Sequence, residues 1–209
     1  MGQEHYFTAD PKVASRPRTI PVVLPDLRFE LDTDRGVFAH GHLDFGTDLL
    51  LRSLPPVPPG ELVDIGCGYG AIAIALALRC PDARVWAVDI NHRALDLCAR
   101  NAERAGAPNV VPAEPAAVPE RIRFAAAYSN PPVRLGKPAL HDLLVTWIGK
   151  LEPDAIATLV VQRHLGADSL AAWLTGLGHR VDRVRSKGGY RVLAVHAPTG
   201  STHDGSRVR

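Results

Sequence analysis

The chain has 209 residues, room for one sizeable α/β core and a small appendage but not for two full domains. Its 24 basic and 22 acidic side chains nearly cancel, to +2, so bulk charge does not mark it as a nucleic-acid binder, although a local basic face can still serve one. The apolar run Ala71–Leu78 is too short to span a bilayer and the N-terminus is polar, so no membrane contact is expected and the expected location is cytoplasmic.

Residues 1–18 read as polar and irregular. Leu27–Asp32 alternates, with Leu27, Phe29 and Leu31 on one face, and Asp34-Arg35-Gly36 before Val37-Phe38 predicts a tight hairpin turn there. A helix is expected over Asp44–Leu54, and Pro55–Pro59 reads as a stiff linker. Strands and helices then alternate. The strands are Leu62–Ile65, Arg84–Val88, Val110-Val111, Phe124–Tyr128 and Ala155–Val161; the helices are Ala71–Leu78, His92–Ala105, Pro138–Leu151 and Ser169–Leu177. Arg180–Arg185 and Tyr190–Val195 close the chain as a hairpin about Lys187-Gly188-Gly189. This order predicts an α/β fold, a Rossmann-like seven-stranded mixed sheet with helices on both faces behind an N-terminal hairpin. The expected organisation is an extension over 1–54 packed on the core, a catalytic domain over 55–197 and a disordered tail over 198–209.

Two segments carry the chemistry. Asp64–Gly70 (DIGCGYG) follows a buried strand and precedes a helix. Gly66, Gly68 and Gly70 allow a tight turn and close approach of a ligand, whose anionic end the helix N-terminus can receive. Asp64 can meet a cationic amine or anchor the turn. Asp89 ends the next strand, where a carboxylate can accept from both hydroxyls of a ribose or cap the following helix. These features fit a nicotinamide enzyme or a methyltransferase. The single nucleotide-binding unit and the closing hairpin favour the second.

Ser129–Val133 (SNPPV) ends the fourth core strand. Pro131 and Pro132 remove two N–H donors and fix two φ angles, leaving an edge of acceptors made by the Asn130 side-chain oxygen and nearby carbonyls. Such an edge can hold the two hydrogens of an exocyclic amine. Transfer of an activated methyl needs placement more than a strong base, in keeping with the lack of a catalytic His or Cys beside this turn. Cys67, Cys80 and Cys98 lack metal-ligand spacing and read as reduced structural thiols, and no metal is expected.

The chain resembles the class I, S-adenosylmethionine-dependent methyltransferases of the small methyltransferase group, close to the ribosomal small-subunit guanine-N2 methyltransferases of the RsmC type in single-domain form. The resemblance runs over residues 4–197. It rests on EHYFTADP, GVFAHGHLDFGTDLLL, DIGCGYG, VDINHRAL, SNPPVRLGK, HLGADSL and KGGYRVL, in that order. It implies that S-adenosylmethionine is the cofactor and S-adenosylhomocysteine the product. It also implies that Asp44, Gly46 and Thr47 line the methionine end, that Ile90 packs on the adenine, and that Phe38 borders the target pocket. Asn130 and Pro131 would hold the guanine amine. Glu114 is the possible equivalent of the family's acid beside adenine. Many amine methyltransferases place Tyr or Phe directly after Asn-Pro-Pro; Val133 stands there in this chain, as in the guanine branch.

On the substrate side, Arg134 and Lys137 follow the catalytic turn, Arg163 and His164 follow the next strand, and Arg180, Arg183, Arg185, Lys187 and Arg191 crowd the closing hairpin. At one sheet edge they would engage phosphate. The expected partner is RNA, ribosomal RNA or the small subunit, and the expected state is a monomer or weak dimer. The alternative substrates are other amines: a small molecule, adenine N6 or a protein glutamine.

Overall fold

Why the closing strands matter is clear from the sheet order. In a computed structural model that describes residues 13–39 and 41–198, nine strands and five helices are found. The strands are β1 (Arg18–Val23), β2 (Arg28–Thr33), β3 (Gly60–Ile65), β4 (Ala83–Val88), β5 (Val110–Ala113), β6 (Phe124–Ser129), β7 (Leu151–Gln162), β8 (Val181–Lys187) and β9 (Tyr190–His196). The helices are α1 (Phe45–Leu51), α2 (Ala71–Arg79), α3 (His92–Ala105), α4 (Lys137–Ile148) and α5 (Ala167–Gly176). β3 to β9 form one seven-stranded sheet in the order β5-β4-β3-β6-β7-β9-β8. β3 to β7 run parallel, and β9 is inserted antiparallel between β7 and β8. The start of β9 therefore lies beside the end of β7, where Gln162 is opposite Tyr190.

Alternation along the buried strands divides the core in two. Leu62, Val85, Ala126, Tyr128 and Val160 face the apolar sides of α1, α2 and α3. Val63, Ile65, Phe124, Leu159 and Val161 face α4 and α5, through Leu144, Trp147, Leu170 and Leu174. α3 is strongly one-sided and closes on Gly106, whose positive φ of 70° ends the helix.

The N-terminal hairpin differs from the one expected. Its partner strand is upstream: β1 pairs with β2, Arg18 opposite Thr33. Residues 34–39 are an irregular turn, not a returning strand. The reason lies at Asp34, whose carboxylate accepts from the Ser15 hydroxyl and the Arg16 and Arg35 N–H groups and so ties the chain back on itself. Pro21 disguises β1 in the sequence, but β1 is an edge strand, where a sheet tolerates proline. The hairpin packs on α3. There the fully buried Asn101 accepts from Asp32 N–H (2.8 Å) and donates to the carbonyls of Asp32 and Tyr69 (2.9 Å each), which fastens β2, α3 and the glycine turn together. The HYF segment and the predicted tail lie outside the described residues, apart from Pro198. Among the described residues, no helix is long and apolar enough to cross a membrane.

Candidate active site

A cleft of about 280 Å³ opens along the carboxyl ends of the central strands, where open α/β sheets place their ligands. It has two halves. The β3–β4 half is built on the glycine turn. Gly66 and Cys67 donate their N–H groups to the Val88 carbonyl (2.8 and 3.0 Å), and Gly70 N–H reaches back to the Cys67 carbonyl (2.9 Å). Gly66, Gly68 and Gly70 all have positive φ (73°, 55° and 93°), which side-chain-bearing residues rarely adopt. Gly66 and Gly68 line the cleft; Gly70 does not, and faces Cys98 and Ile74 instead.

Asp89 sits at the cleft wall and accepts from Gly68 N–H (2.9 Å) and Asn91 N–H (3.0 Å). Burial pushes its carboxyl above the usual range, against the pull of the Asn91, Gly68 and Ile90 N–H groups. Asp89 is not the cap of α3. Asn91 is, accepting from Ala94 N–H at 3.1 Å, which leaves the remaining acceptor capacity of Asp89 for a ligand. Ile90 is 44% exposed at the rim, an apolar surface beside that carboxylate.

Asp64 lies elsewhere. It is wholly buried beneath the turn, where Oδ2 accepts from Ala73 N–H (3.0 Å), one of the unpaired donors of the first turn of α2. Oδ1 has no protein partner among the described residues. Burial pushes the carboxyl up to about 8. The folded state thus keeps a proton that the unfolded chain releases near pH 4, so this group's contribution to stability falls as pH rises from about 4 to about 8. Urea unfolding at pH 5 and pH 8 is expected to show the cofactor-free protein less stable at pH 8, and Asp64→Asn to flatten that difference. An unchanged difference in the variant would contradict the assignment.

The second half gathers at the end of β6. Ser129 Oγ donates to the Ile65 carbonyl at 2.6 Å, which sets the end of β6 against the end of β3. Asn130 follows, at the junction of the two halves. Its Nδ2 donates to Asp44 Oδ2 (2.8 Å) and Thr47 Oγ1 (3.0 Å). An ionised carboxylate only accepts, so Asp44 fixes which end of the amide faces it and leaves Asn130 Oδ1 free to accept from a ligand. Asp44 also caps α1, accepting from Thr47 N–H at 3.0 Å.

Phe38, Asp44, Pro131, Pro132 and Val133 line the cleft beside Asn130. Gly46 and Thr47 stand behind Asp44. A Cβ on Gly46 would come within 2.7 Å of the Tyr190 ring and 2.9 Å of Asp44. Glu114 lies 3.3 Å from His92 and is not among the residues that line the cleft, although the next residue, Pro115, is. Lys137 opens α4 on the exposed surface.

The basic residues divide. Arg180 lies at the far end of the sheet with Asp182 and His196, and Arg183 and Arg191 both meet Asp168 on α5. A bulge at Val184 separates Arg183 from Arg185, which turns toward α1 and approaches the Arg52 carbonyl at 3.5 Å. Arg163, His164 and Lys187 are exposed at the cleft end of the sheet. The residue reading along the sequence missed Gln162, Tyr190, Leu143, Trp147 and Leu165, all of which line the cleft. The rule that placed ligands at strand ends applies equally to the end of β7, which holds Gln162. Tyr190 reaches the cleft through the register of β9, which no local pattern reveals.

The family model of the methyltransferase small domain matches residues 28–194. The chain belongs to this family. It is 34% identical over 194 residues to the uncharacterized protein YbxB of Bacillus subtilis (strain 168), covering 91% of this chain and 96% of that one. It is 38% identical over 142 residues to ribosomal RNA small subunit methyltransferase C of Hahella chejuensis (strain KCTC 2396), covering 65% of this chain but 41% of that protein. The chain thus spans less than half the length of that relative. Among solved structures, the Thermus thermophilus 16S rRNA N2 G1207 methyltransferase, in complex with AdoMet and guanosine, superposes with a TM-score of 0.72 at 22% identity, over 89% of this chain and 52% of that one. The shared architecture is the class I methyltransferase fold, and the chain is a methyltransferase.

Proposed function

We propose that this methyltransferase moves a methyl group from S-adenosylmethionine to the exocyclic N2 amine of a guanine in RNA, in the small ribosomal subunit. The observation that carries the reading is the amide of Asn130, a residue that lines the cleft, with Nδ2 committed to Asp44 and Thr47 and Oδ1 without a partner among the described residues.

The β3–β4 half fits the cofactor. The glycine turn gives backbone access, since a Cβ on Gly66 would approach only Pro132 within 4 Å. Asp89 retains acceptor capacity for ribose hydroxyls, Ile90 offers apolar surface for an adenine, and Asp44 places negative charge toward a sulfonium. The bound cofactor supplies an activated methyl with a neutral leaving group. The protein's residues do the rest. Asn130 Oδ1 accepts one amine hydrogen and a carbonyl of the Asn-Pro-Pro turn accepts the other, which aims the nitrogen lone pair into the cofactor half. As positive charge grows on that nitrogen its hydrogens become better donors, so these bonds strengthen on the way to the transition state. The released proton passes to water.

The guanine branch is favoured by Val133, which lines the cleft without offering an aromatic stacking face directly after the prolines. The relatives that carry the name ribosomal RNA small subunit methyltransferase C, and the neighbour solved with guanosine, support the same substrate class. Arg163, His164, Arg185 and Lys187 have no carboxylate partner among the described residues and stand ready for phosphate. On this reading the enzyme works in the cytoplasm, and its expected state is a monomer or weak dimer.

Transfer of labelled methyl to small ribosomal subunits, naked ribosomal RNA and tRNA, followed by nucleoside identification, tests the reading. N2-methylguanosine from the subunit or its RNA is the expected product. Label in methylated adenine, or in protein alone, would overturn it.

A further inference from the structure

Gln162 ends β7, Tyr190 begins β9, and the two stand opposite each other in the sheet. Gln162 Nε2 donates to the Tyr190 hydroxyl oxygen at 2.5 Å. That bond leaves the phenol hydrogen and Gln162 Oε1 uncommitted, and neither side chain has another polar partner among the described residues. Both side chains line the cleft. The Tyr190 ring is fixed from behind by Gly46 and tilts against Phe45 with ring centroids 5.5 Å apart. The pair is therefore an acceptor and a donor held at the end of the sheet, between apolar lining on both faces: Val160 on the α1 side, and Val161, Leu143 and Trp147 on the α4 side. A polar pair held this way among apolar lining points to a ligand that supplies the complementary groups.

We propose that Gln162 and Tyr190 read the base-pairing edge of the target base and select guanine. The inference rests on the guanine-N2 reading above. Counted outward from the reacting amine, guanine presents a donor at N1 and then an acceptor at O6. Adenine, counted from N6, presents an acceptor and then a bare C–H; cytosine presents two acceptors. The sheet offers the complement of guanine in the same order. Asn130 follows β6, Gln162 ends the adjacent β7 and Tyr190 opens β9 beyond it, with neighbouring strands about 4.8 Å apart. Asn130 Oδ1 takes the amine, Gln162 Oε1 takes N1–H, and the Tyr190 hydroxyl donates to O6. Adenine would set its N1 acceptor against the Gln162 oxygen, and a site built for hydrogen bonds rejects such a mismatch strongly.

The test is titration of guanosine and of 2-aminopurine riboside into the full chain saturated with S-adenosylhomocysteine. The second ligand keeps the N2 amine but lacks N1–H and O6. Wild type is expected to prefer guanosine by roughly tenfold or more, and Gln162→Ala and Tyr190→Phe each to lose most of that preference. Affinity for S-adenosylhomocysteine, read separately, reports whether each variant is folded, and Gln162→Met, which keeps the length of the side chain and removes its acceptor oxygen, is the substitute if Gln162→Ala is not. A guanosine preference that survives in folded variants overturns the inference and leaves the guanine reading standing. Equal binding of both ligands by wild type also overturns the inference. Failure of wild type to bind guanosine overturns the guanine reading, and the inference with it.

Discussion

Replacing Asn130 with alanine is expected to lower kcat/KM for methyl transfer roughly 10²- to 10³-fold, the usual effect of removing one preorganised hydrogen-bonding group at a centre of developing charge. S-adenosylhomocysteine affinity should change little, because the β3–β4 half is held by its own network around Gly66, Asp89 and Val88. Asn130→Asp makes a sharper test. It keeps an oxygen for the amine, but it replaces the Nδ2 donor with a second carboxylate oxygen 2.8 Å from Asp44, where the two charges repel. Loss comparable to that of the alanine variant is expected, since the aspartate must swing away from Asp44 and out of position. Full activity in Asn130→Asp would show that the bonds to Asp44 and Thr47 do not set the orientation of the group. Single-turnover measurement of transfer to small subunits, with product release excluded, is the assay.

Gly70→Ala is expected to give the largest loss of stability among alanine substitutions of the three glycines in the cofactor turn. Gly70 has φ 93°, and a Cβ there would sit 2.6 Å from Cys98 Sγ and 3.2 Å from Ile74 Cδ1. Left-handed backbone costs an alanine about 1–2 kcal/mol, and overpacking a tight core adds about 1–3 kcal/mol. A total near 3 kcal/mol lowers Tm by roughly 6–12 °C in a chain of this size. A double-mutant cycle with Cys98→Ala separates the causes. Removing the sulfur relieves the closest contact, so Gly70→Ala should cost less in that background, while the backbone part remains. Equal cost in both backgrounds would show that the sulfur contact adds nothing and would leave the penalty to the backbone and the Ile74 contact. Thermal or urea unfolding of the four proteins provides the values.

The fold was legible wherever a segment announced itself locally. α3 carries a one-sided apolar pattern, an Asn91 cap and a terminal Gly106, and the sequence places it at His92–Ala105, the bounds the structure has. The glycine turn and Asn-Pro-Pro were legible because backbone freedom at one and backbone rigidity at the other are visible in composition alone. Longer-range features were less so. β1 was hidden by Pro21, and the turn at Asp34-Arg35-Gly36 suggested the wrong partner for β2. The strand pairing was decided by Asp34 reaching back to Ser15 and Arg16, a tertiary contact with no periodic signature. At the site, Asp44 and Thr47 came from resemblance as cofactor contacts, and the structure adds that both hold the Asn130 amide. Asp64 left two roles open, and its burial under α2 favours the anchor. Gln162 and Tyr190 were invisible as a pair because their meeting depends on an antiparallel strand inserted between two others.

The central claim is that cofactor and planar amine approach from opposite halves of one cleft and meet at the Asn130 amide. A crystal structure with S-adenosylhomocysteine and guanosine bound tests it most directly. The account predicts the ribose hydroxyls on Asp89, the guanine N2 at hydrogen-bond distance from Asn130 Oδ1, and the Asn130 Nδ2 still on Asp44 and Thr47. Guanosine bound away from the Asn-Pro-Pro turn, or an Asn130 amide turned from Asp44 with both ligands in place, would contradict it.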